Sequence, residues 1–578
     1  MVLIFDIETK TFGKPDPDKD VFRFMGAYAV EEDKYYFLED HKEVKNLFKK
    51  HQVIVGFNSK FYDEPILKRH GLMEYRHIHI DLREIVSKRQ IQLNCKNESK
   101  SLDNMAKFFS LGSYKGELDY TLLNKESLSE EEYELIREYT LKDIEVTYKM
   151  FKHLCKFFES FKEFMNKYDV MTYKWLTSSI SVYAYKVICH FTGLKLEYDD
   201  KEIREKFEGG FVAEPSVPEA HGNVYCLDFA SLYPHIMVQA NLFSYKCKCC
   251  KDEEKWSGNE LFKVKGKYCS KKHGHIENVI YDIYLKRKEL KKQKNPAELA
   301  LKYVINTLYG LLGNSKFKSL FNYQSASDCT LIGRESIKLT RRKFKSAGYK
   351  ILYSDTDSVY LQDVFNDKQR LLFVKDSIIN TIKKKLPFNK ETFDMDIDEE
   401  IKHIWFFEKN NRYLKKMYVY VNNKNRLTIK GIPIIKSDSS KIGLKIFDKY
   451  MREQVINGNI KFKFEDIKGW LHKEVKNDIS IILRKFTVKD FKDYKKEFQL
   501  QAQISKKYGS GTIYLLENKK IGIGKNKKYC TIEEFNKHNL EFKDLIFDKF
   551  WSEMTFFSKI PKKRNMNNEM LTKWTNIK

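Results

Sequence analysis

The run Asp228-Phe-Ala-Ser231-Leu-Tyr233-Pro234 and the run Tyr353-Ser-Asp355-Thr-Asp357-Ser358 indicate the fold of this 578-residue chain. A hydrophobic stretch leads into each run, Val224 to Leu227 into the first and Ile351-Leu352 into the second. The pattern predicts a strand that ends at the first aspartate and a β-hairpin whose turn carries the other two. Carboxylate oxygens are the ligands that Mg²⁺ prefers, and two such ions about 3.5–4 Å apart support phosphoryl chemistry. One aspartate at a strand end is an ordinary turn residue, so the set of three is what indicates a nucleotidyl-transfer site.

A second group of carboxylates lies near the start of the chain. Val2-Leu-Ile-Phe-Asp6-Ile-Glu8 is typical of a buried strand whose two acidic side chains leave the same face. The stretch Val53–Asp63 predicts another strand that ends in a polar turn. Glu134 to Met150 has helical periodicity and places Tyr139 and Asp143 one turn apart on one face. Four carboxylates from three elements could hold two metal ions that promote hydrolysis of a phosphodiester. The alternative is that Asp6 and Glu8 are ordinary polar residues at a strand end and that Tyr139 is a packed aromatic.

The two aspartate runs, in this order, resemble motifs A and C of family B DNA polymerases. The N-terminal group resembles the three motifs of proofreading 3′–5′ exonucleases, in the subclass with a tyrosine in the third motif. The resemblance implies an α/β multi-domain protein with an RNase H-like exonuclease domain and a right-hand polymerase of palm, fingers and thumb. The implied domains are 1–165 for the exonuclease, 166–245 for a linker and the first part of the palm, 246–320 for fingers with a candidate zinc-binding insertion, 321–412 for the second part of the palm, and 413–578 for the thumb and C-terminal region.

The resemblance also implies roles for the carboxylates. By this resemblance, Asp228 and Asp355 would be metal ligands of the polymerase site, and Asp357 would support that site. The metal ligands of the exonuclease site would be Asp6, Glu8, Asp63 and Asp143. The implied cofactor at both sites is Mg²⁺ or Mn²⁺, with two ions per site.

Further exonuclease residues follow from the same resemblance. Tyr139 would orient the attacking water, and Asn58 and Tyr62 would guide single-stranded DNA. The segment Lys115-Gly-Glu-Leu-Asp-Tyr120 resembles a part of the protein-primed phage polymerases. In those enzymes the lysine supports catalysis and the tyrosine binds the end of the strand.

The region after motif A matches the nucleotide-binding parts of the family. We predict one helix over Tyr281–Gln293 and a second after Asn295-Pro296, a pair that suits the N-cap and first helical position. The second helix resembles motif B, and positive charge on both helices suits a triphosphate. The predicted nucleotide-binding residues are Ser231, Tyr233, Arg287, Lys291, Lys302, Asn306 and Tyr309. A solvated basic helix face is the alternative for the neighbouring lysines.

Three segments resemble DNA contacts of the family. Phe207-Glu-Gly209-Gly210 resembles the Tyr-x-Gly-Gly element, and phenylalanine in place of tyrosine predicts a packing residue at 207. Lys415-Lys416-Met-Tyr418 resembles the Lys-x-Tyr motif that contacts the primer end. Leu483–Lys495 resembles a thumb segment and predicts a basic helical region that binds phosphates without reading bases. Gly209, Gly210, Lys416 and Tyr418 are therefore predicted to bind DNA, together with Asn58, Tyr62 and Tyr120.

Four of the ten cysteines lie close together in the sequence, between Cys247 and Cys269. Their spacing, with a following histidine, is typical of a structural zinc site. We predict that Cys247, Cys250, Cys269 and His273 bind Zn²⁺. The choice of Cys249 in place of Cys250 is open, and unliganded cysteines in a polar loop are the alternative.

Composition indicates the partners. A net charge of +26 and a pI near 9.2 suit a polyanion such as DNA. The expected partners are primer–template DNA, dNTPs and an unidentified priming or processivity protein. We expect a monomer without membrane segments or a disulfide framework, located in the cytoplasm, or in the host cytoplasm if the source is a phage or mobile element.

Three alternative functions are weighed. A protein-primed polymerase would carry a second insertion, for which the stretch between Asn314 and Tyr353 is too short. An exonuclease whose second half only binds DNA is disfavoured by the complete motifs A, B and C. A reverse transcriptase-like enzyme usually has adjacent aspartates, whereas Thr356 separates them here.

Overall fold

The structure is a computed structural model of the chain. It describes residues 1–11, 13, 15–73, 77–88, 93, 95, 99–112, 114, 116–156, 178–199, 207–295, 298–388, 392–409, 412–432, 441–459, 468–494, 496–524 and 528–545. The chain forms two compact units. Unit 1 comprises residues 1–207, 233–257 and 265–329, and unit 2 comprises residues 208–232, 258–264 and 330–578.

A five-stranded mixed sheet organises the N-terminal part of unit 1. Its strands are β1 (Val2–Lys10), β2 (Val21–Ala29), β3 (Lys34–Leu38), β4 (Val53–Gly56) and β5 (Ile78–Asp81). Their order is β3-β2-β1-β4-β5, with β4 parallel to both β1 and β5 and the other pairs antiparallel. The central strand β1 buries Leu3, Ile4 and Phe5 completely, because the sheet is covered on both faces. Both strands predicted here are present.

Helices cover this sheet and build the rest of unit 1. The first five are α1 (His41–Lys50), α2 (Asp63–Arg69), α3 (Leu82–Lys88), α4 (Leu102–Phe108) and α5 (Glu130–Lys156). The next are α6 (Ile180–Thr192), α7 (Leu232–Gln239), α8 (His275–Lys292), α9 (Glu298–Leu312) and α10 (Tyr323–Ser346), of which α7 begins and α10 ends in unit 2. Short 3-10 turns occupy Tyr120–Asn124, Ser244–Lys246 and Asp252–Glu254. The predicted helix over Glu134–Met150 is confirmed as part of α5, and the two predicted helices after motif A are α8 and α9.

Gly26 allows α5 to pack closely on the sheet. Gly26 lies opposite Asp6 in the β1–β2 pair. A Cβ atom at this position would lie 2.6 Å from Thr140 Cγ2 and 3.1 Å from Ile144 Cγ1 on α5. Only a residue without a side chain fits, so α5 can approach the strand that carries the N-terminal carboxylates.

We expect Gly26→Ala to destabilise unit 1 by about 1–3 kcal/mol, because an added methyl group in a filled interior forces neighbouring atoms apart. The measurement is urea unfolding of the full chain. The double variant Gly26→Ala/Thr140→Ser lacks the methyl group that the new Cβ would meet. It should recover most of the loss. Equal stability of Gly26→Ala and the parent chain would show that the contact can relax freely.

A six-stranded sheet forms the centre of unit 2. Its strands are β6 (Glu219–Phe229), β7 (Lys350–Asp355), β8 (Ser358–Gln362), β9 (Met395–Lys409), β10 (Arg412–Asn422) and β11 (Leu427–Lys430), in the order β11-β10-β9-β6-β8-β7. Helix α11 (Lys368–Lys383) connects β8 to β9. The β7–β8 pair is the predicted hairpin, with Asp355 opposite Ser358. The predicted strand that ends near Asp228 is β6, so both expectations are confirmed.

The remainder of unit 2 follows this sheet. It contains α12 (Lys441–Ile446), a π-turn at Phe447–Met451, α13 (Arg452–Ile456), α14 (Lys468–Asn477), β12 (Arg484–Val488), α15 (Leu500–Tyr508), β13 (Gly511–Asn518), β14 (Lys528–Cys530) and α16 (Ile532–Lys537). There are 3-10 turns at Ile479–Ile482, Phe491–Asp493 and Phe542–Asp544. The helix predicted within Leu483–Lys495 was wrong, because Arg484–Val488 pairs with β13 as a strand. Within the described residues, no helix combines the length and apolarity needed to cross a membrane.

Candidate active sites and a cysteine cluster

The N-terminal carboxylates open into a cavity in unit 1. Asp6, Glu8, Asp63 and Tyr139 all line this cavity of about 650 Å³. Asp6 and Glu8 project from the same face of β1, and Asp63 begins α2. The backbone N–H of Ile7 donates to Asp63 Oδ1 at 3.2 Å, which fixes this carboxylate beside the strand. Three of the four predicted carboxylates therefore share one cavity wall.

Asp143 lies deeper than the other three carboxylates. It follows Tyr139 by one turn of α5, is fully buried and does not belong to the cavity lining. Thr140 lies between Tyr139 and Asp143 on α5. Its hydroxyl donates to Glu8 Oε1 at 3.5 Å and to the Ile136 carbonyl at 2.8 Å. Helix α5 thus supplies one residue to the wall and one carboxylate behind it.

Tyrosines rim the same cavity. The hydroxyls of Tyr120 and Tyr139 lie 2.6 Å apart, and Tyr120 is 55% exposed. The Tyr62 hydroxyl donates to Asp20 at 2.6 Å and lies 2.8 Å from the Thr9 hydroxyl. Burial, followed by the bond to Asp20, raises the pKa of Tyr62 to about 12. The Tyr62 phenol therefore remains protonated near neutral pH. The rings of Tyr62, Tyr120 and Tyr139 line the cavity and offer apolar faces to a strand end. Lys115 lies outside the described residues.

Asp81 was missed by sequence reasoning although it holds Asn58 in place. Asn58 has a left-handed backbone (φ 65°) and lines the cavity. Its backbone N–H donates to Asp81 Oδ1 at 3.0 Å, and that of Lys60 donates to Asp81 Oδ2 at 3.1 Å. Asp81 is completely buried. An aspartate at the end of β5 reads as an ordinary turn residue, and only the fold brings it to this turn.

Strand pairing brings the segments that carry Asp228, Asp355 and Asp357 together in unit 2. Asp228 on β6 pairs with Ser358 on β8, which follows the turn that carries Asp355 and Asp357. The N–H of Phe229 donates to the Asp357 carbonyl at 2.9 Å. Thr356 at the tip has a left-handed backbone (φ 52°), which a β-branched residue rarely adopts. Such strain is concentrated at functional sites.

Burial and neighbouring charges act on Asp357. Burial is the largest cause that raises its pKa, and Asp355 and Asp398 raise it further, while its own backbone N–H and Lys416 lower it. Crowded carboxylates of this kind disfavour ionisation unless a cation is close. The donor set and its crowding fit a divalent cation.

Lys416 already places one positive charge at this site. Its Nζ lies 2.8 Å from Asp355 Oδ1, and its backbone N–H donates to the Tyr353 hydroxyl at 2.9 Å. Lys416 has a left-handed backbone (φ 61°) within an irregularity of β10. A Cβ at Gly431 would lie 2.0 Å from the Lys416 carbonyl, so this glycine makes the turn possible.

Asp396 and Asp398 were missed from the predicted site. Asp396 on β9 lies opposite Asp228 on β6, and cross-strand partners place their side chains on the same face. Asp398 interacts electrostatically with Asp357, and both Asp396 and Asp398 are exposed. The alternation in Asp394-Met-Asp396-Ile-Asp398 is typical of a half-exposed strand. This alternation could have indicated that the aspartates share one exposed face. Nothing in the sequence, however, indicated with which strand β9 pairs.

Tyr418 requires a correction. It was predicted to bind DNA, but it is 6% exposed and packs with Tyr353, Tyr360 and Phe406 in the core of the sheet. Its hydroxyl lies 2.9 Å from that of Tyr360. Alternation along β10 explains the difference, because neighbouring residues of a strand face opposite sides.

The Gly209-Gly210 segment is exposed and held by its backbone. Arg334 Nη1 donates to the carbonyls of Glu208 and Gly209 at 2.5 and 3.0 Å. The N–H of Thr356 donates to the Phe211 carbonyl at 2.9 Å. The segment therefore attaches directly to the tip of the aspartate hairpin.

Apart from Arg287, the predicted nucleotide-binding residues fall into three groups. The Tyr233 and Tyr309 rings stack at 4.7 Å with an interplanar angle of 27°, and Phe207 packs on Tyr309, which confirms Phe207 as a packing residue. The second group, Lys291 on α8 with Lys302 and Asn306 on α9, is exposed. Ser231 has a left-handed backbone (φ 56°).

Arg287 is the exception among the predicted cations. Its Nε lies 3.1 Å from Glu298 Oε2, and only 14% of its side chain is exposed. The pair joins α8 to α9. It therefore supports the packing of these helices, and its charge is already compensated.

The cysteines converge in unit 1. The sulfurs of Cys247, Cys249, Cys250 and Cys269 all lie within 4.8 Å of one another. The group contains three of the four predicted ligands, and its fourth member is Cys249 in place of His273. Asn241 holds the loop after Cys269, because its Nδ2 donates to the carbonyls of Cys269 and Lys272 at 2.8 and 3.0 Å.

Comparisons with known proteins identify the family. Residues 187–519 match the model of DNA polymerase family B, and residues 3–155 match that of the RNase H superfamily. A DNA polymerase of Archaeoglobus fulgidus is 25% identical over 492 residues, 77% of this chain and 59% of that protein. The DNA polymerase delta catalytic subunit of Plasmodium falciparum is 26% identical over 50% of this chain and 28% of its own length. The chain thus spans less than two thirds of the length of these relatives.

The fold agrees with these matches. The structure of the family B DNA polymerase from Pyrobaculum calidifontis superposes with a TM-score of 0.56 over 98% of this chain and 78% of that one, at 17% identity. The family B match covers more than half of the chain and includes the end of β6 and the β7–β8 hairpin, which carry Asp228, Asp355 and Asp357. With an RNase H-like domain before it, this chain is a member of DNA polymerase family B.

Proposed function

We propose that the chain is a DNA-directed DNA polymerase that also removes nucleotides from the 3′ end. The observation that carries the first activity is the pairing of the β6 end with the β7–β8 turn, which brings Asp228 to Asp355 and Asp357. The observation that supports the second is the separate cavity lined by Asp6, Glu8 and Asp63. The test is primer extension and 3′–5′ degradation by one purified chain with Mg²⁺, and absence of both activities would contradict the proposal.

Divalent metal ions suit both sites. In the polymerase site Asp228 and Asp355 are the proposed ligands, with Asp357 in support. In the exonuclease site they are Asp6, Glu8, Asp63 and Asp143. When bound, two Mg²⁺ or Mn²⁺ ions would activate the attacking oxygen and stabilise the leaving oxygen.

The chain's own residues would bind and orient the substrates. The stacked Tyr233 and Tyr309 rings offer a rigid apolar surface for the sugar and the nascent base pair. Exposed Lys302 and Lys291 supply positive charge for a triphosphate. Lys416, whose side chain is 60% exposed, supplies a positive charge to a primer end beside Asp355.

DNA-primed synthesis is favoured over protein-primed synthesis. The stretch between Asn314 and Tyr353 is mostly the single helix α10, which leaves no inserted domain there. Initiation with a DNA primer and without any terminal protein tests this point. Synthesis that starts only in the presence of a priming protein would overturn it.

The four cysteines are proposed to bind one structural Zn²⁺. Three sulfur pairs, Cys247–Cys249, Cys249–Cys269 and Cys247–Cys250, lie 2.7, 3.3 and 3.9 Å apart. Tetrahedral coordination with Zn–S near 2.3 Å places sulfurs about 3.8 Å apart, which small shifts would reach. Lys255 and Lys271 interact electrostatically with Cys250 and would offset the charge of four thiolates.

We expect one zinc per chain, measured by elemental analysis after dialysis. Cys249→Ser and Cys269→Ser should each lose the metal and destabilise the chain by more than about 2 kcal/mol, because binding free energy contributes to folding. His273→Asn, next to the cluster but outside it, should keep the metal. Zinc lost in His273→Asn and kept in Cys249→Ser would restore the original ligand set.

A further inference from the structure

A strongly basic cavity lies in unit 2. It has a volume of about 560 Å³, and its lining includes Lys338, Arg341, Arg342, Lys345, Lys350 and Tyr349. The first four follow each other at i, i+3, i+4 and i+7 on α10, so they share one helix face. Lys350 begins β7, the strand that ends at Asp355.

Most of these charges are uncompensated. Lys338 forms an ion pair with Glu335 at 2.9 Å. In the described chain, Arg341, Arg342, Lys345 and Lys350 take part in no ion pair. Cations near a helix C-terminus also stabilise the helix dipole, but this effect is confined to the last turn. It accounts for Lys345 and leaves Lys338 and Arg341 unexplained.

Arg341 and Lys338, which line the cavity, both lie against one aromatic ring, that of Phe211. The Arg341 guanidinium lies 5.4 Å from the centre of the Phe211 ring, and the Lys338 ammonium lies 5.7 Å from it. Burial lowers the pKa of Arg341, so its charge is costly unless an anion is nearby. Phe211 is the residue whose carbonyl accepts the N–H of Thr356 between the catalytic aspartates.

Tyr349 adds an independent sign of a ligand. It is 2% exposed, and its hydroxyl has no hydrogen-bond partner among the described residues. A buried polar group left unsatisfied costs about 1–3 kcal/mol. An acceptor in the cavity, such as a phosphate oxygen, would satisfy it and pair with the cations at once.

We propose that this cavity binds the phosphate backbone of single-stranded DNA, as the unpaired template strand leading to the aspartate hairpin. The proposal rests on the proposed polymerase function. Lys350 and Asp355 are the two ends of β7, roughly 17 Å apart at about 3.3 Å per residue, so a strand of a few nucleotides connects the cavity to the hairpin. The contacts are charged or hydroxyl groups without a base-reading pattern, as suits a template of any sequence.

The test is fluorescence anisotropy with two primer–templates, one with a long single-stranded template overhang and one with a one-nucleotide overhang. The variant is Arg341→Gln/Arg342→Gln/Lys345→Gln. The matched control is Lys343→Gln, an exposed lysine of the same helix that does not line the cavity. Three lost phosphate contacts should reduce the salt slope by about 2, equivalent to about 20-fold in affinity between about 50 and 200 mM salt.

We expect the triple variant to show this reduced salt slope with the long overhang and little change with the short one. The control variant should bind both substrates like the parent chain. Tyr349→Phe should weaken the long-overhang complex without lowering the melting temperature, because its hydroxyl has no protein partner to lose. Equal weakening on both substrates, or the same loss in Lys343→Gln, would overturn the proposal.

Inorganic phosphate serves as a separate probe. If phosphate competes equally with both substrates and overhang length has no effect, the cavity is a small-anion site and the proposal fails. Because binding is measured, a chain that cannot extend a primer still gives a result. Failure of the polymerase function is therefore distinguishable from failure of the template groove.

Discussion

Asp355→Asn is expected to lower primer extension by at least about a thousandfold, while 3′–5′ degradation continues at the parent rate. The substitution keeps the shape of the side chain and removes the charge at the end of β7. Loss of about 4 kcal/mol of transition-state stabilisation corresponds to this factor. Degradation is unaffected because its proposed carboxylates, Asp6 among them, belong to unit 1, whereas Asp355 belongs to unit 2. Single-turnover extension with Mg²⁺ measures the effect.

Asp376→Asn is the matched control for this variant. Asp376 lies in unit 2, is largely exposed and pairs with Lys375 at 2.9 Å, so its loss should cost at most about 1 kcal/mol. Extension within a few-fold of the parent chain is expected for it. If Asp355→Asn extends primers as well as Asp376→Asn does, the polymerase site is not at the β7–β8 hairpin.

Asp6→Asn is expected to give the opposite pattern, with degradation lowered by about a thousandfold and extension retained. Asp6 projects into the N-terminal cavity with Glu8 and Asp63, and a divalent ion would lose one of its charged ligands there. Misincorporated nucleotides should then persist at the primer end. Degradation of a mismatched primer without dNTPs is the primary measurement, and error frequency during extension is the second.

Asp103→Asn controls for charge loss in unit 1. Its ion pair with Lys107 lies at the surface of α4, where such pairs contribute about 0–1 kcal/mol. This variant should degrade and extend like the parent chain. Degradation that survives Asp6→Asn would remove the exonuclease assignment from this cavity, and joint loss of both activities would indicate a folding defect.

Local sequence determined much of this protein. Alternation and strand-end polarity predicted β1, β6 and the β7–β8 hairpin, because strand periodicity and turn chemistry act over a few residues. The aspartates at these strand ends could be named as a set for the same reason. Phe207 could be recognised as a packing residue because one missing hydroxyl changes what the position can do.

Only the tertiary structure decided which segments meet. Asp396 reaches Asp228 through strand pairing, and Asp81 holds the turn at Asn58 from a strand that follows later in the chain. Tyr418 faces the core because of the register of β10, and the folded loops bring Cys249 to the other three cysteines. Pairing, register and loop closure depend on contacts between distant residues, whose free energies no single segment contains. The sequence therefore specified the chemical groups, and the packing of the strands and loops selected which of them act together.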